Sequence, residues 1–245
     1  MSLLEVRGLY ASYSGYTALK KVSLSISPGE IVGVCGPNKA GKSTLCKCLA
    51  GTKAAAAGEI LFNNQNITTL PVRGRLALGI SVCPERGNED GEANLIYPNQ
   101  SVGFNFDILR NGLPRPEWEE RVQQILSYFP FSASMDRLAG TLSGGEAQML
   151  GIARKLAFLL SRRVGHCLLV IDEPARGLAQ KAIIQLFLAL DRVRKDCGVS
   201  ILLVDEMASR MRGVDRAYIL YDGSIKAEGT IKDLMIDPTL VEVFN

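Results

Sequence analysis

The residues best suited to chemistry run Gly36-Pro37-Asn38-Lys39-Ala40-Gly41-Lys42-Ser43. The spacing Gly36-x-x-x-x-Gly41-Lys42-Ser43 is that of a loop that cradles phosphate. Such a loop wraps a polyphosphate with backbone N–H groups, and glycines allow the close approach. A helix starting near Lys42 sets its positive N-terminal end against the same phosphates. Lys42 can reach the outer phosphates, and the Ser43 hydroxyl can ligate Mg²⁺.

Two carboxylates close the run Leu168-Leu169-Val170-Ile171-Asp172-Glu173. A strand that delivers acids at its C-terminal end places them where an open α/β sheet binds ligand. Asp172 can hold Mg²⁺, directly or through water. Glu173 can polarise an attacking water as general base. A third stretch, Leu142-Ser143-Gly144-Gly145-Glu146, leads into a helical run over 147–160. Ser143 is a plausible cap, and the two glycines leave bare N–H groups at a helix N-terminus, a second anion site. Two anion sites with one phosphate loop point to a nucleotide held by another subunit.

These stretches need a scaffold, and the chain supplies one. Ile31–Cys35 reads as a buried strand before the loop, and 168–172 shows no alternation, as in a strand buried on both faces. Residues 2–29 alternate in strand fashion around the turns Ser14-Gly15 and Pro28-Gly29, which predicts an antiparallel β region. The connector 54–58 leads into a strand over 59–62, and 76–83 reads as a further buried strand. Residues 86–140 turn polar and then amphipathic around 102–109 and 118–129, which predicts an inserted helical segment. A helix over 179–195 and strands at 200–204, 217–221 and 224–227 complete the pattern. Strands alternating with helices imply a mostly parallel sheet.

The chain has 245 residues, 47% of them hydrophobic, enough for a substantial core. A net charge of +3 is too small to argue for nucleic acid. No apolar run reaches the ~18 residues of a membrane span, and the first ten residues lack signal-peptide character. The expectation is a cytosolic protein whose six cysteines (35, 46, 48, 83, 167 and 197) are reduced and largely buried. His166, the single histidine, lies before the 168–172 strand and reads as structural.

In this order the three motifs resemble those of the ATP-binding subunits of ABC transporters, over essentially the whole chain. The resemblance makes the first the Walker A loop, the second Walker B and Leu142–Glu146 the signature motif. It implies one ATPase domain over 1–245: a P-loop NTPase core, an antiparallel β subdomain (about 1–29 and 58–70) and an inserted helical subdomain (about 86–162). It implies ATP and Mg²⁺ as ligands, with ATP along Gly36–Thr44 and Ser43, Glu85 and Asp172 around the metal. Glu173 is then the catalytic base. It also implies a head-to-tail homo- or heterodimer in which the signature meets the partner's ATP. Integral-membrane permease subunits, an indirect tie to an extracytoplasmic solute-binding protein and a place on the inner face of the cell membrane follow from it.

Further positions match. Tyr13 stands where the family stacks an aromatic on adenine, with Tyr16 as a rival. Glu85 falls at the Q-loop, where most members have Gln, and 175–179 fits the D-loop, with Ala179 where many have Asp. The stretches GTLSGGEAQMLGIARKL, DEPARGLAQ, GVSILLVDEM, DRAYILYDGSIKAEGT and LMIDPTLVEVF look like importers of branched-chain amino acids and related amides, in which Glu at the Q-loop is familiar. ALGISVCPERG and LLVDEM also resemble the second ATPase half of sugar importers, the alternative cargo.

Three positions depart from the family pattern. Lys39 replaces a Gly. If its backbone takes φ > 0 the substitution costs roughly 1–2 kcal/mol, while its cation can face the phosphates. Glu206 stands at the switch histidine, and an ionised carboxylate would repel the γ-phosphate. The acidic stretch 86–94 lies near the expected permease-facing surface, as a solvated loop or a permease contact. Lys39 and Glu206 together leave open a regulatory subunit that binds ATP and turns it over slowly.

Overall fold

The computed structural model describes residues 2–85, 96–110, 112–130, 134–162 and 165–237. The acidic stretch 86–94 and the chain from 238 onward lie outside the described residues. The first half runs β1 (Leu4–Tyr13), β2 (Tyr16–Ile26), β3 (Ile31–Cys35), α1 (Lys42–Ala50), β4 (Ala57–Phe62), β5 (Gln65–Asn66), α2 (Val72–Leu78) and β6 (Ile80–Cys83). Then come α3 (Val102–Asp107), α4 (Arg115–Leu126), α5 (Gly144–Leu160), β7 (Leu168–Asp172), α6 (Gln180–Cys197), β8 (Ser200–Asp205), β9 (Arg216–Tyr221), β10 (Ser224–Gly229) and α7 (Ile231–Ile236).

Two sheets form. The larger has the order β10-β9-β3-β8-β7-β6, parallel except for the β9–β10 hairpin. The smaller has the order β2-β1-β4-β5 and is antiparallel throughout. Strands β3, β7 and β8 are buried at every position, as their unbroken apolar runs require. Alternate residues enter different cores. Leu169, Ile171, Ile201 and Leu203 pack with residues of α5 and α6. Leu168, Val170, Leu202 and Val204 pack with Leu45 and Leu49 of α1 and with Leu4, Val6 and Leu9 of the antiparallel sheet. The parallel sheet is thus covered on both faces, which leaves its strand ends as the open edge of the layer.

One expected strand is shorter than the sequence suggests. The run 76–83 is not a single strand: α2 takes its first residues, Gly79 ends that helix at φ 100°, and β6 begins at Ile80. An apolar run of this length does not separate helix from strand by periodicity. What decides is Arg75, which is 2% exposed. Its guanidinium donates to the carbonyls of Cys48 and Leu49 at the C-terminal end of α1 and to those of Thr68 and Leu70. Carbonyls in the last turn of a helix lack the usual amide four residues on. Besides Arg75, Cys48 O accepts, among the described residues, only from the capping Gly51 amide at 3.3 Å, so a buried cation on α2 closes the C-terminal end of α1.

The described part of the expected helical segment is helical. Ser143 caps α5, accepting from Glu146 N at 3.3 Å while the Glu146 carboxylate accepts from Ser143 N at 2.8 Å. Trp118 of α4 is fully buried, and buried Asn105 of α3 ties the backbone of Tyr97 and Ser101 to its own helix.

Arg75→Ala should destabilise the protein by about 3 kcal/mol, since it leaves several buried carbonyls without a donor. Chemical denaturation measures this, and a loss below about 1 kcal/mol would show that solvent replaces the guanidinium.

Candidate active site

The phosphate-type loop leaves β3 at Cys35 and enters α1 at Lys42. Its glycines are required first by the protein's own backbone. A Cβ on Gly36 would lie 1.9 Å from the Leu220 carbonyl oxygen, and one on Gly41, at φ +108°, would lie 2.5 Å from that of Ala18. The Gly223 amide donates to the Ala40 carbonyl at 2.9 Å, so the β9–β10 turn holds the loop from below. Lys42 is buried and its Nζ donates to the carbonyls of Gly36 at 2.8 Å and Pro37 at 3.0 Å. The ammonium is therefore held at the centre of the loop's curve. Lys39 adopts φ +69° with its side chain exposed, the strained condition foreseen for a side chain in place of Gly.

Two strands, β7 and β8, bring acids to this loop. Asp172 ends β7 and is 3% exposed, and its Oδ1 has no hydrogen-bond partner; the Ser43 hydroxyl and the Cys46 thiol lie close enough to it to favour its ionised form. Burial raises its pKa, against the pull of Ser43 and Lys42. Glu173 follows at φ +47°, its amide donating to the Val204 carbonyl at 2.7 Å. Its carboxyl is also pushed up, by burial first and then by the neighbouring Asp172 carboxylate. Asp205 ends β8 with its Oδ2 unpartnered, and burial raises it as well. Glu206 accepts from Asn38 Nδ2 at 3.0 Å, so the switch position is tied to the phosphate loop.

A cavity of about 410 Å³ lies over these groups. It is lined by Tyr13, Tyr16 and Ala18 of the antiparallel sheet and its hairpin, by Asn38, Lys39, Gly41, Lys42, Ser43 and Thr44 of the loop and the start of α1, and by Glu85, Glu173 and Arg176. The structure thus gathers Tyr13, most of the loop, Glu85 and Glu173 around one space. Gly36, Pro37 and Ala40 belong to the same loop but do not line the space, and Asp172 sits beside Ser43. Tyr13 and Tyr16 pair across the β1–β2 hairpin, and the Lys53 ammonium lies 4.2 Å from the Tyr13 ring centre. The signature residues Leu142–Glu146 do not line this cavity. Ala179, at the start of α6, offers no side-chain cap.

Sequence reasoning missed Arg176, Asp205 and Lys53. Arg176 pairs with Glu85 and, at 3.1 Å, with Glu173. The signal was present: a lone cation three residues after a candidate base, and an acid closing a buried strand next to Glu206.

Chemically, the space offers the ammonium groups of Lys39 and Lys42, the Arg176 guanidinium and the carboxylates of Glu85 and Glu173. The donors fit Mg²⁺: a carboxylate oxygen without a partner beside a hydroxyl is a hard-oxygen set. Among the described residues no group of three or more His, Cys, Asp or Glu is arranged to hold a metal alone. Mg²⁺ needs no such group, because it takes one or two carboxylates and completes its shell with phosphate oxygens and water.

Residues 19–176 match the family described as ABC transporter. Over 95% of this chain and 94% of the relative, it is 34% identical to a probable branched-chain amino acid transport ATP-binding protein, LivF, of Archaeoglobus fulgidus. It is 33% identical, over the same shares, to the high-affinity branched-chain amino acid transport ATP-binding protein BraG of Pseudomonas aeruginosa. It is 29% identical, over 100% of this chain and 97% of the relative, to the lipopolysaccharide export system ATP-binding protein LptB of Escherichia coli. Among solved structures, an ATP-binding cassette of an ABC transporter in its ADP conformation superposes with a TM-score of 0.83 at 25% identity, covering 100% of this chain and 98% of that one. The family match takes in the phosphate loop, the signature and the acid pair together, and the chain belongs to the ABC transporter ATPases.

Proposed function

We propose that this subunit binds and hydrolyses ATP to drive import of a branched-chain amino acid or related amide through membrane permease subunits. The observation that carries the cargo class is the near full-length match, at 33% and 34% identity, to two branched-chain amino acid subunits. Among the described residues no helix is long and apolar enough to cross a membrane. In this reading, which rests on the transport ATP-binding relatives, the subunit meets its permease as a peripheral partner at the cytoplasmic face, with a solute-binding protein on the far side. A second reading, lipopolysaccharide export, draws support from relatives at 29% identity that also span the chain.

In this proposal the loop Gly36–Thr44 holds the phosphates and Lys42 turns its ammonium from the Gly36 and Pro37 carbonyls to the outer ones. Ser43 and Asp172, with Glu85 lining the same space, would hold Mg²⁺, which when bound would supply positive charge against the phosphates. Glu173, partly desolvated, takes the proton of the attacking water. Tyr13 receives the adenine, which competes with Lys53 for the ring face. Stacking of a base on an aromatic is worth about 1–3 kcal/mol, against about 0.5–1 for an exposed cation–π contact. The N-terminus of α5, with Ser143 engaged in its capping box, presents N–H groups to the nucleotide of a second ATPase subunit.

Lys42→Ala should weaken ATP binding by at least about tenfold, the worth of one charge-assisted hydrogen bond. Unchanged affinity in a nucleotide titration would remove the phosphate-loop assignment. Glu173→Gln should keep ATP binding, abolish turnover and accumulate an ATP-bound dimer, visible by size-exclusion chromatography. Parental turnover in that variant would show that another group is the base. Glu206→His replaces an acceptor near the γ-phosphate position with a donor and should raise steady-state turnover by up to about tenfold. An equal or lower rate would mean that the tie to Asn38 matters more than the lost donor. The cargo is tested by purifying the subunit with its native permease and measuring uptake of labelled leucine. Co-purification with lipopolysaccharide-exporting permeases and no uptake would favour export.

A further inference from the structure

Arg176 follows Glu173 by three residues, and its Nη1 touches two carboxylates from different parts of the chain. One is Glu85, two residues past the end of β6. The other is Glu173, one residue past the end of β7. The guanidinium side chain is 60% exposed, while the Glu85 and Glu173 side chains are 20% and 9% exposed. All three line the same cavity. The Glu173 backbone sits at φ +47°, a conformation that surrounding contacts must hold in place. Its amide is fixed by Val204, but among the contacts the structure shows for its carboxylate, Arg176 is the cationic one.

We propose that Arg176 is a strap: it positions the Glu173 carboxylate and couples that carboxylate mechanically to Glu85. Two acids this close repel unless a cation lies between them, and one guanidinium nitrogen shared by both removes the repulsion and sets their spacing. Displacement of Glu85 then moves Arg176 and, through it, the base. The strap makes Arg176 a positioning residue with no need to touch the nucleotide. It rests on the reading of Glu173 as the base only for its effect on turnover.

The test uses Arg176→Gln, Glu85→Gln and the double variant, since Glu85→Gln keeps the oxygen and removes the charge. Arg176→Gln should lower kcat by about tenfold to a hundredfold, the usual effect of a misplaced catalytic group, while ATP affinity stays within about threefold. Glu85→Gln should lower kcat in the same direction, and the double variant should be no slower than Arg176→Gln alone. Thermal unfolding without nucleotide gives a readout independent of activity. The melting temperature of the double variant should be no lower than that of Arg176→Gln, because the contact is already lost and Glu85→Gln then only removes one of two repelling carboxylates. Arg176→Lys should recover part of kcat, since a point charge can sit between two carboxylates. Fully additive losses in kcat and melting temperature would overturn the strap. A tenfold loss of ATP affinity with ADP affinity unchanged would overturn it too, by showing that Arg176 binds the terminal phosphate. If Glu173→Gln retains turnover while the unfolding data still show coupling, the base assignment fails and the strap stands.

Discussion

The structure depends on a crowding of negative charge. Asp172 and Asp205 end β7 and β8, Glu173 and Glu206 follow them, and Glu85 lies two residues past β6. Parallel strands ending on one edge deliver these acids side by side, and burial raises the pKa of Asp172, Glu173 and Asp205 alike. Few cations answer them. Lys42 is held by the loop, Arg210 lies 3.6 Å from Asp205, and Arg176 lies between Glu85 and Glu173. A site of this composition has affinity for cations and gains most from a ligand that arrives with one.

The elements around these acids are held by contacts at both ends of α1. The loop glycines are forced by the Leu220 and Ala18 carbonyls, so the loop's shape is imposed by the antiparallel sheet and the β9–β10 hairpin. The far end of α1 is closed by buried Arg75. A helix fixed at both ends holds the N–H groups of its first turn in place before any ligand arrives, and such preorganisation strengthens electrostatic binding.

Much of this was legible in the sequence. The core strands announced themselves because burial on both faces demands unbroken apolar runs, as in Leu168–Ile171. The loop and acid pair announced themselves because phosphate chemistry tolerates few spacings. The boundary between α2 and β6 was not legible, since the residues around Leu76 and Leu78 fit helix or strand and the deciding contact, Arg75 to α1, joins distant parts of the chain. Arg176 was hidden for the same reason: its meaning lies in Glu85, far away in sequence. Lys39 lay between. The sequence showed a side chain where glycine is usual, and only the backbone showed that it sits at φ +69°.

The most direct test of the charge account is calorimetric titration of the protein with ATP, once with Mg²⁺ present and once with the metal removed by chelation. Repulsion between the carboxylates and a bare triphosphate should make the metal-free affinity weaker by at least about tenfold, roughly 1.4 kcal/mol. Equal affinity under the two conditions would contradict the account, because the acids at the strand ends would then carry no net charge that the ligand feels.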